Sequence, residues 1–391
     1  MKHNRPSAFD DVSVHMTADV ALLYDRSRRA LFAANPNAAT ICHGLEQRLS
    51  PAEVAEALSE EFGLPPREAR RHVAATLRQW RQWCQEADRR DARAADVQAY
   101  ALCVLPIAPG AAAATRIFGL LDTRFVVRFA DGIVHEDVCR VLAHLETGAY
   151  AAGHERLFDV IRFGNGYAVA EAGKVHHVCG RADEVVAMVK ATMAECAFDD
   201  ADALAAIHAA AVERNGHCVL MPGRSGAGKS CLSAALCGSG FSLMGDDTVL
   251  LGTGDLALRP LPLGISIKDT APPAIFHMFA SLAQQPLFSR PDGKRIRYLT
   301  PPDIVAAPVD HHCPVTRIVF PRYMPGGGTE LIPIPASQCL ERLLACFAPL
   351  GGSMDRRDVD ALVSWVASTP SYVLHVSSLA EAVRILHRLT D

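Results

Sequence analysis

The sequence predicts an α/β multidomain protein, and two patterns of residues indicate this class. In the first 90 residues, short apolar runs around a charged turn precede capped helical segments, which is typical of a winged-helix-like module. Further along, an apolar run, a glycine-rich loop and a helix-compatible run follow one another. The 391 residues, half of them hydrophobic, are enough for several cores. We predict domains over residues 1–90, 91–202 (a linker and α+β scaffold region) and 203–391.

Charge and cysteine content limit the partners and the compartment. The formal net charge of -4 gives no overall attraction to nucleic acid or to an anionic membrane, so we expect neither partner. The 12 cysteines are scattered without a C-x-x-C pair, which favours buried thiols in a reducing compartment over disulfides or zinc. No apolar run reaches the roughly 18 residues of a membrane span, and the first residues lack the apolar part of a signal peptide. We therefore predict a cytoplasmic protein.

A hairpin is predicted near the start of the chain. The apolar runs at 20–24 and 30–33 flank the charged turn at 25–29, as two antiparallel strands would. Asn35 or Asn37 is then placed to cap a first helix.

Two further helices follow the first. Ser50 and Glu53 form a capping box with a proline between them, which predicts the start of the second helix. Pro65-Pro66 opens a third short helix with an apolar stripe that includes Trp80. The charged stretch 85–91 suits a linker or a solvated helix end.

The glycine-rich loop is the most specific motif of the sequence. The run GRSGAGKS matches G-x-x-x-x-G-K-[ST] at every position. Its glycines let the backbone curl with several N–H groups pointing inward, and the following helix adds the positive end of its dipole. Lys229 then reaches the β- and γ-phosphates of a nucleoside triphosphate, and the Ser230 hydroxyl coordinates Mg²⁺. The predicted nucleotide-binding residues are Gly223, Arg224, Ser225, Gly226, Ala227, Gly228, Lys229, Ser230 and the adjoining Cys231.

An acidic pair follows the loop, and a histidine precedes it. Asp246 and Asp247 lie between apolar runs, where carboxylates are costly to bury unless they are paired or bind a metal. We interpret them as a metal ligand and a base on a strand beside the one that leads into the loop. A turn is the alternative, because Gly-Asp-Asp is also turn chemistry. His208 lies 15 residues before Gly223, in an Ala-rich stretch where a histidine more often belongs to a core or a helix face.

Three basic residues are candidates for contact with a phosphate or an acidic acceptor. Arg295 and Arg297 are candidates for a clamp on such a group, and Lys268 adds one positive charge. A solvated basic loop is an equally good interpretation of the two arginines.

His208, the GRSGAGKS loop and Gly245-Asp246-Asp247, in this order and at these separations, resemble the HPr kinase/phosphorylase family. The resemblance covers residues 205–340. It implies an HPr-kinase-like P-loop domain and a serine kinase that uses ATP and Mg²⁺.

The same resemblance implies a role for each matching residue. Lys229 and the loop glycines would hold the phosphates, and Ser230 would hold Mg²⁺. Asp246 would be the base on the acceptor hydroxyl, Asp247 would support the metal, and His208 would line the phosphate site.

The chain departs from this family at two places. Cys231 stands where HPr kinases usually have a glutamate, and the Arg-Gly segment tied to phosphorolysis is not recognisable in 261–268. Both departures count against HPr as the substrate and against reverse phosphorylase activity.

The N-terminal module resembles the PqqD-like peptide-recognition domains of pathways that modify ribosomally made peptides. The resemblance rests on VALLYDRSRRALFAANPNAATI, on the helix that begins SPAEVAEAL and on the helix at 73–83. It implies that a leader peptide binds as an added strand at a sheet edge, with a helix as the other wall. A DNA-binding winged helix is the rival, but glutamates offset the arginines of this region.

Together these features predict a kinase that phosphorylates a hydroxyl, that of a serine, on a precursor peptide held through its leader. Two alternatives stay open: a peptide-binding regulatory protein switched by nucleotide, and a kinase of free serine or another small molecule. The sequence leaves open the acceptor, the choice between ATP and GTP, and whether the chain forms a homo-oligomer.

Overall fold

The computed structural model describes residues 9, 11–17, 20–97, 106–108, 110–148, 153–308, 310–350 and 354–391. It is a mixed α/β structure with two compact units, one formed by Met1–Tyr100 and Pro333–Ser371, the other by Ala101–Ile332 and Tyr372–Asp391. The predicted boundaries at 1–90, 91–202 and 203–391 stay predictions. The units differ from them in two ways: segment 333–371 belongs with the N-terminal residues, and residues from both 91–202 and 203–391 form one unit.

Runs of strands and helices follow one another along the chain. The strands are β1 (Val12–Met16), β2 (Ala21–Asp25), β3 (Ala30–Ala34), β4 (Ala114–Leu120), β5 (Thr123–Phe129), β6 (His154–Phe163), β7 (Gly166–Glu171), β8 (Lys174–Cys179), β9 (Ala203–Ile207), β10 (Ala209–Arg214), β11 (His217–Pro222), β12 (Ser242–Gly245), β13 (Val249–Gly252), β14 (Ala257–Arg259), β15 (Ile265–Lys268), β16 (Phe288–Ser289), β17 (Arg295–Leu299), β18 (Cys313–Tyr323), β19 (Glu330–Pro333), β20 (Phe347–Pro349) and β21 (Ser371–Val376). The α-helices are α1 (Pro36–Glu46), α2 (Pro51–Phe62), α3 (Pro66–Val97), α4 (Gly132–Leu142), α5 (Val185–Asp200), α6 (Lys229–Cys237), α7 (Pro273–Met278), α8 (Ala336–Leu344), α9 (Arg356–Ser368) and α10 (Leu379–Thr390).

The N-terminal strands and caps follow the predicted chemistry. The strands β2 and β3 form the expected hairpin, and β1 pairs antiparallel with β2 on the other side. Asn35 caps α1 by accepting a hydrogen bond from the Ala38 amide. Ser50 and Glu53 form the reciprocal capping box at the start of α2.

The third helix is longer than predicted. The helix α3 has 32 residues and continues through the charged stretch 85–91, so the prediction of a short third helix is wrong. No glycine or proline follows Pro66 before Val97, and the alanines, arginines and glutamates of this stretch favour helix.

Aromatic rings form the centre of the first core. Trp80 on α3 is buried, and its ring lies 5.1 Å from that of Phe9 and 5.2 Å from that of Phe32. The ring of Trp83 stacks on Phe32 at 5.5 Å. These contacts hold α3 against β3, because each ring buries a large apolar area.

The returning segment completes the first unit. The helix α8 contacts β3, and α9 contacts β1 and β2. A chain of two hydrogen bonds joins Ser13 to His15 at 2.8 Å and His15 to Asp360 of α9 at 2.6 Å. Since Ser13 and His15 are buried, this link satisfies polar groups that water does not reach.

The second unit begins with a five-stranded sheet. Its order is β4-β5-β6-β7-β8, with β5 and β6 parallel and the other neighbours antiparallel. The strand-like runs at 125–129 and 157–161 lie in β5 and β6. The helix expected near 184–194 is α5, which packs on this sheet.

A larger mixed sheet carries the glycine-rich loop. The strands of this unit run in the order β12-β10-β11-β18-β14-β13-β9, and β21 also pairs with β18. The prediction that the strand before Asp246 lies beside the strand before the loop is wrong, since β10 separates β12 from β11. The reason is local: the left-handed residues Asn215 and Gly216 form a tight turn that folds β10 back along β11.

Helix length and hydrophobicity bear on membrane insertion. Within the described residues, no helix combines the length and apolar character needed to cross a bilayer. The longest, α3, is rich in charged residues.

Replacing the N-cap residue of α2 tests the first unit. We expect Ser50→Ala to lower its free energy of unfolding by about 1 kcal/mol, because the Glu53 amide loses its acceptor. The three tryptophans, Trp80, Trp83 and Trp365, all lie in this unit, so their fluorescence in a urea titration follows it specifically. Glu56→Ala, at an exposed position of the same helix, is the control; equal effects of the two substitutions would contradict the capping role.

Candidate phosphate-binding site

The glycine-rich loop joins β11 to α6. Gly226 has a φ of 93° and Gly228 a φ of 96°, a left-handed backbone that L side chains rarely adopt. Gly228 occupies the N-cap position of α6 without a side-chain cap. The first turn of α6 therefore presents backbone N–H groups at the loop, as anion binding requires.

Lys229 lies at the start of α6 and is 6% exposed. Its Nζ donates hydrogen bonds to the carbonyl oxygens of Gly223 and, at 3.4 Å, of Arg224. It also lies 3.1 Å from Nε2 of His208. The ammonium is thus held inside the curve of the loop, and its contact with a phosphate stays a prediction.

His208 occupies the single residue between β9 and β10, rather than a helix face. Burial, together with the nearby Lys229 ammonium, lowers the pKa of the imidazole. Its Nδ1 lies 3.6 Å from Oδ1 of Asp247. The fold therefore brings His208, Lys229 and Asp247 together across a long stretch of sequence.

The acidic pair lies in the bend between β12 and β13. The turn interpretation is thus right for the backbone, and Asp247 has a φ of 77°, which aspartate tolerates better than most residues. The Asp247 carboxylate is about half exposed and lies 3.8 Å from the Arg290 guanidinium. Both aspartates line the cavity in front of the loop.

Asp246 is the more buried carboxylate. Its Oδ2 accepts a hydrogen bond of 3.3 Å from the Ser266 amide, whereas its buried Oδ1 has no hydrogen-bond partner. Burial and the neighbouring Asp247 raise its pKa to about 6, while the hydroxyl of Ser230 acts in the opposite direction. An orphaned oxygen beside Ser230 is the kind of donor that a divalent cation would satisfy.

The cavity in front of the loop has a volume of about 560 Å³. Loop residues from Arg224 to Cys231 form one wall, although Gly223 and Ala227 support the backbone without lining it. Ser377 to Ala380, at the start of α10, contribute to another part of the lining.

The three candidate clamp residues differ in position. Lys268 lines the cavity, whereas Arg295 and Arg297 are not among its described lining residues. Alternation along β17 explains this, because Ile296 faces the cavity and its two neighbours point the other way. Arg297 instead pairs with Asp269 at 2.9 Å.

Two basic residues that the sequence analysis missed line the cavity: Arg290 and Lys294. The Lys294 ammonium lies 3.4 Å from Oγ of Ser225 and 2.6 Å from Asp292. The signal was the Pro-Asp-Gly run between them, which is typical of a tight turn that brings its flanking residues together.

A buried lysine from the middle region was also missed. The Lys190 side chain on α5 is 9% exposed, and its Nζ lies 3.8 Å from the ring centroid of Tyr298. Burial lowers its pKa to about 7, against the effect of the nearby Asp246 and Asp247 carboxylates. The region that the sequence suggested as scaffold therefore contributes a charge next to the acidic pair.

Comparison with known proteins bears on the first unit. Residues 20–83 match the family described as Coenzyme PQQ synthesis protein D (PqqD), a span from β2 through the first half of α3. The chain thus contains a PqqD domain, which supports the predicted peptide-recognition domain and suggests a ribosomally made precursor peptide as its partner. None of the curated proteins matches the chain.

The raised pKa of Asp246 predicts a pH-dependent stability. The folded state binds this proton more tightly than the unfolded state, so wild-type stability falls as the pH rises from about 4 towards 6. Asp246→Asn removes this loss, and we expect it to raise the melting temperature of the second unit clearly at pH 7.5 and little at pH 4.5. The difference is at most on the order of 3 kcal/mol.

Calorimetry in buffer with a chelator measures this effect without a metal contribution. Asp255→Asn, on the turn between β13 and β14, is the control. An equal shift for Asp246→Asn at both pH values would contradict the raised pKa.

Proposed function

We propose that the chain is an ATP- and Mg²⁺-dependent phosphotransferase that phosphorylates a serine hydroxyl on a ribosomally made precursor peptide. The PqqD domain would hold the peptide through its leader. The observation that carries the proposal is the meeting of Lys229, Asp246 and Asp247 at one cavity in front of a glycine-rich loop. His208 is not among the described lining residues, but it contacts both Lys229 and Asp247.

Charge neutralisation is the first requirement of phosphoryl transfer. The N–H groups of the loop and the Lys229 ammonium supply it for the β- and γ-phosphates. Arg290 and Lys294 add positive charge at the same cavity. The clamp role predicted for Arg295 and Arg297 passes in this proposal to Arg290 and Lys294.

Mg²⁺ would be held by the Ser230 hydroxyl and the orphaned oxygen of Asp246. This donor set fits a hard cation, because both ligands are oxygens and one of them is a buried carboxylate. Such an ion supplies neutralisation of the phosphate charge, and it would also relieve the desolvation that raises the pKa of Asp246.

Asp247 would then accept the proton of the acceptor hydroxyl. The hydroxyl oxygen forms a bond to the γ-phosphorus as the bond to the β–γ bridging oxygen breaks, so the products are phosphoserine and ADP. The proton goes to the Asp247 carboxylate, which is exposed to the cavity and held between His208 and Arg290.

These roles are the converse of those that the HPr kinase resemblance implies for the two aspartates, and paired variants distinguish them. We expect Asp247→Asn to lower transfer of label from ATP to peptide by a factor on the order of 10²–10⁴ while Mg²⁺-dependent nucleotide binding persists. Asp246→Asn should instead remove the Mg²⁺ dependence of nucleotide binding, measured by calorimetric titration. The reverse pattern would make Asp246 the base.

Wild-type protein with labelled ATP tests the proposal itself. Label on a precursor peptide supports it, label on free serine alone indicates a small-molecule kinase, and no transfer despite nucleotide binding indicates a nucleotide-switched regulatory protein. Asp255→Asn is a matched control, because this aspartate lies on the turn between β13 and β14 and is not among the residues that line the cavity.

The leader would bind at the open edge of β3. Among the described strands of its sheet, β3 has a partner on one side only, and the rings of Trp80 and Trp83 place α3 against it. The Arg28–Asp88 pair, at 2.7 Å, joins the turn before β3 to α3. An extended peptide added to β3 would find backbone partners on one side and the α3 wall on the other.

Removing the leader from the substrate tests whether the leader binds at the edge of β3. We expect a core peptide without its leader to be phosphorylated with a KM raised about 100-fold, because binding energy from the tethered leader is lost. Free leader should inhibit phosphorylation of the full precursor but leave the core peptide reaction unchanged. Equal KM values for precursor and core peptide would contradict leader capture.

A further inference from the structure

Three side chains of different chemistry meet on the five-stranded sheet of the second unit. Glu171 ends β7, His176 lies in β8, and Cys196 lies on α5. One ligand atom from each, a carboxylate oxygen, an imidazole nitrogen and a thiol sulfur, lie within 4.8 Å of one another. Cys196 is buried and the other two are partly exposed, which leaves a path from solvent.

A β-bulge places the histidine in this group. In the β7–β8 pairing, Val169 is opposite His177 and Ala170 is opposite Val175, so His176 is the extra residue. A bulge interrupts the alternation of a strand and re-aims one side chain. Here Nε2 of His176 lies 3.2 Å from Oε2 of Glu171.

The charge of Glu171 is not fully neutralised by its neighbours. The Arg156 guanidinium contacts both Glu171 oxygens, at 3.1 and 3.2 Å, but it also forms two hydrogen bonds of 2.7 Å with Asp200. Asp200 alone neutralises Arg156. The Glu171 charge is therefore available, and the arginine orients that carboxylate as an outer-shell partner would.

We propose that Glu171, His176 and Cys196 form a zinc site, with a water molecule as the fourth ligand. Nitrogen and sulfur donors select zinc over Mg²⁺ or Ca²⁺, and three protein ligands leave one open position. On binding, a zinc–sulfur bond forms and the thiol proton leaves to solvent. Burial raises the pKa of the Cys196 thiol to about 12.

The position of the site indicates what it does. It would tie the β7–β8 hairpin to α5, the helix that also carries Lys190 beside the acidic pair. A zinc ion here stabilises the packing of α5 on the sheet without taking part in phosphoryl transfer. The inference therefore does not depend on the proposed function.

Cobalt substitution tests the site in the full-length protein. Metal-free protein titrated with Co²⁺ should bind one equivalent and develop a thiolate-to-cobalt charge-transfer band in the near ultraviolet, which Zn²⁺ then removes. An all-oxygen Mg²⁺ site gives no such band, so the signal separates this site from the nucleotide site.

Variants test whether Cys196 and His176 are the ligands that produce this band. Cys196→Ser should abolish it, and His176→Asn should weaken Co²⁺ binding at least 10-fold. Cys179→Ser and His177→Asn, on the same strand β8, should leave the charge-transfer band and the Co²⁺ affinity unchanged. Zinc should raise the melting temperature of the wild type by several degrees and leave that of Cys196→Ser unchanged, with circular dichroism verifying that each variant is folded.

Two results would overturn the proposal. The first is a wild-type protein that gives no charge-transfer band, which would leave the His176–Glu171 contact as a hydrogen bond only. The second is a band of equal strength in Cys196→Ser, which would assign the metal to other cysteines.

Discussion

The buried ammonium of Lys229 is the interaction on which the site depends. Loop carbonyls surround it, and His208, the residue between β9 and β10, lies within hydrogen-bonding distance. A cation with so little solvent keeps its charge only where oxygens and partial negative charges replace water. The same interactions therefore shape the loop, fix the position of His208 and hold a positive charge ready for an anion.

Near that ammonium, basic residues lie beside each of the two adjacent carboxylates. Asp247 lies between His208 and Arg290, and Asp246 lies within the influence of Lys190. Each carboxylate thus has its own basic neighbour, which reduces the repulsion between adjacent aspartates. One buried atom, Oδ1 of Asp246, has no hydrogen-bond partner. This unsatisfied oxygen is the reason for assigning the metal to Asp246.

Local features of this chain could be predicted from sequence, and long-range ones could not. The caps of α1 and α2, the β2–β3 hairpin and the loop with its flanking strand and helix depend on residues close in the chain. Lys190 gave no signal, because a single lysine in an apolar helix shows its role only once α5 packs beside the acidic pair. The position of β12 in the sheet depends on the β10–β11 hairpin, because β10 pairs with β12. Arg295 was a candidate because it is basic, although the alternation of side chains along β17 turns it away from the cavity.

The PqqD domain is not a detachable module in this protein. The helices α8 and α9 pack on its sheet, and the hydrogen bonds from the buried Ser13 to the buried His15 and from His15 to Asp360 join it to the returning segment. Deleting residues 1–90 would expose the apolar faces of both helices and remove the hydrogen bond between His15 and Asp360. A loss of activity could then come from misfolding as well as from lost peptide binding. Substrates with and without a leader, tested with the intact chain, separate misfolding from lost peptide binding. They change the ligand and leave every contact of the protein in place.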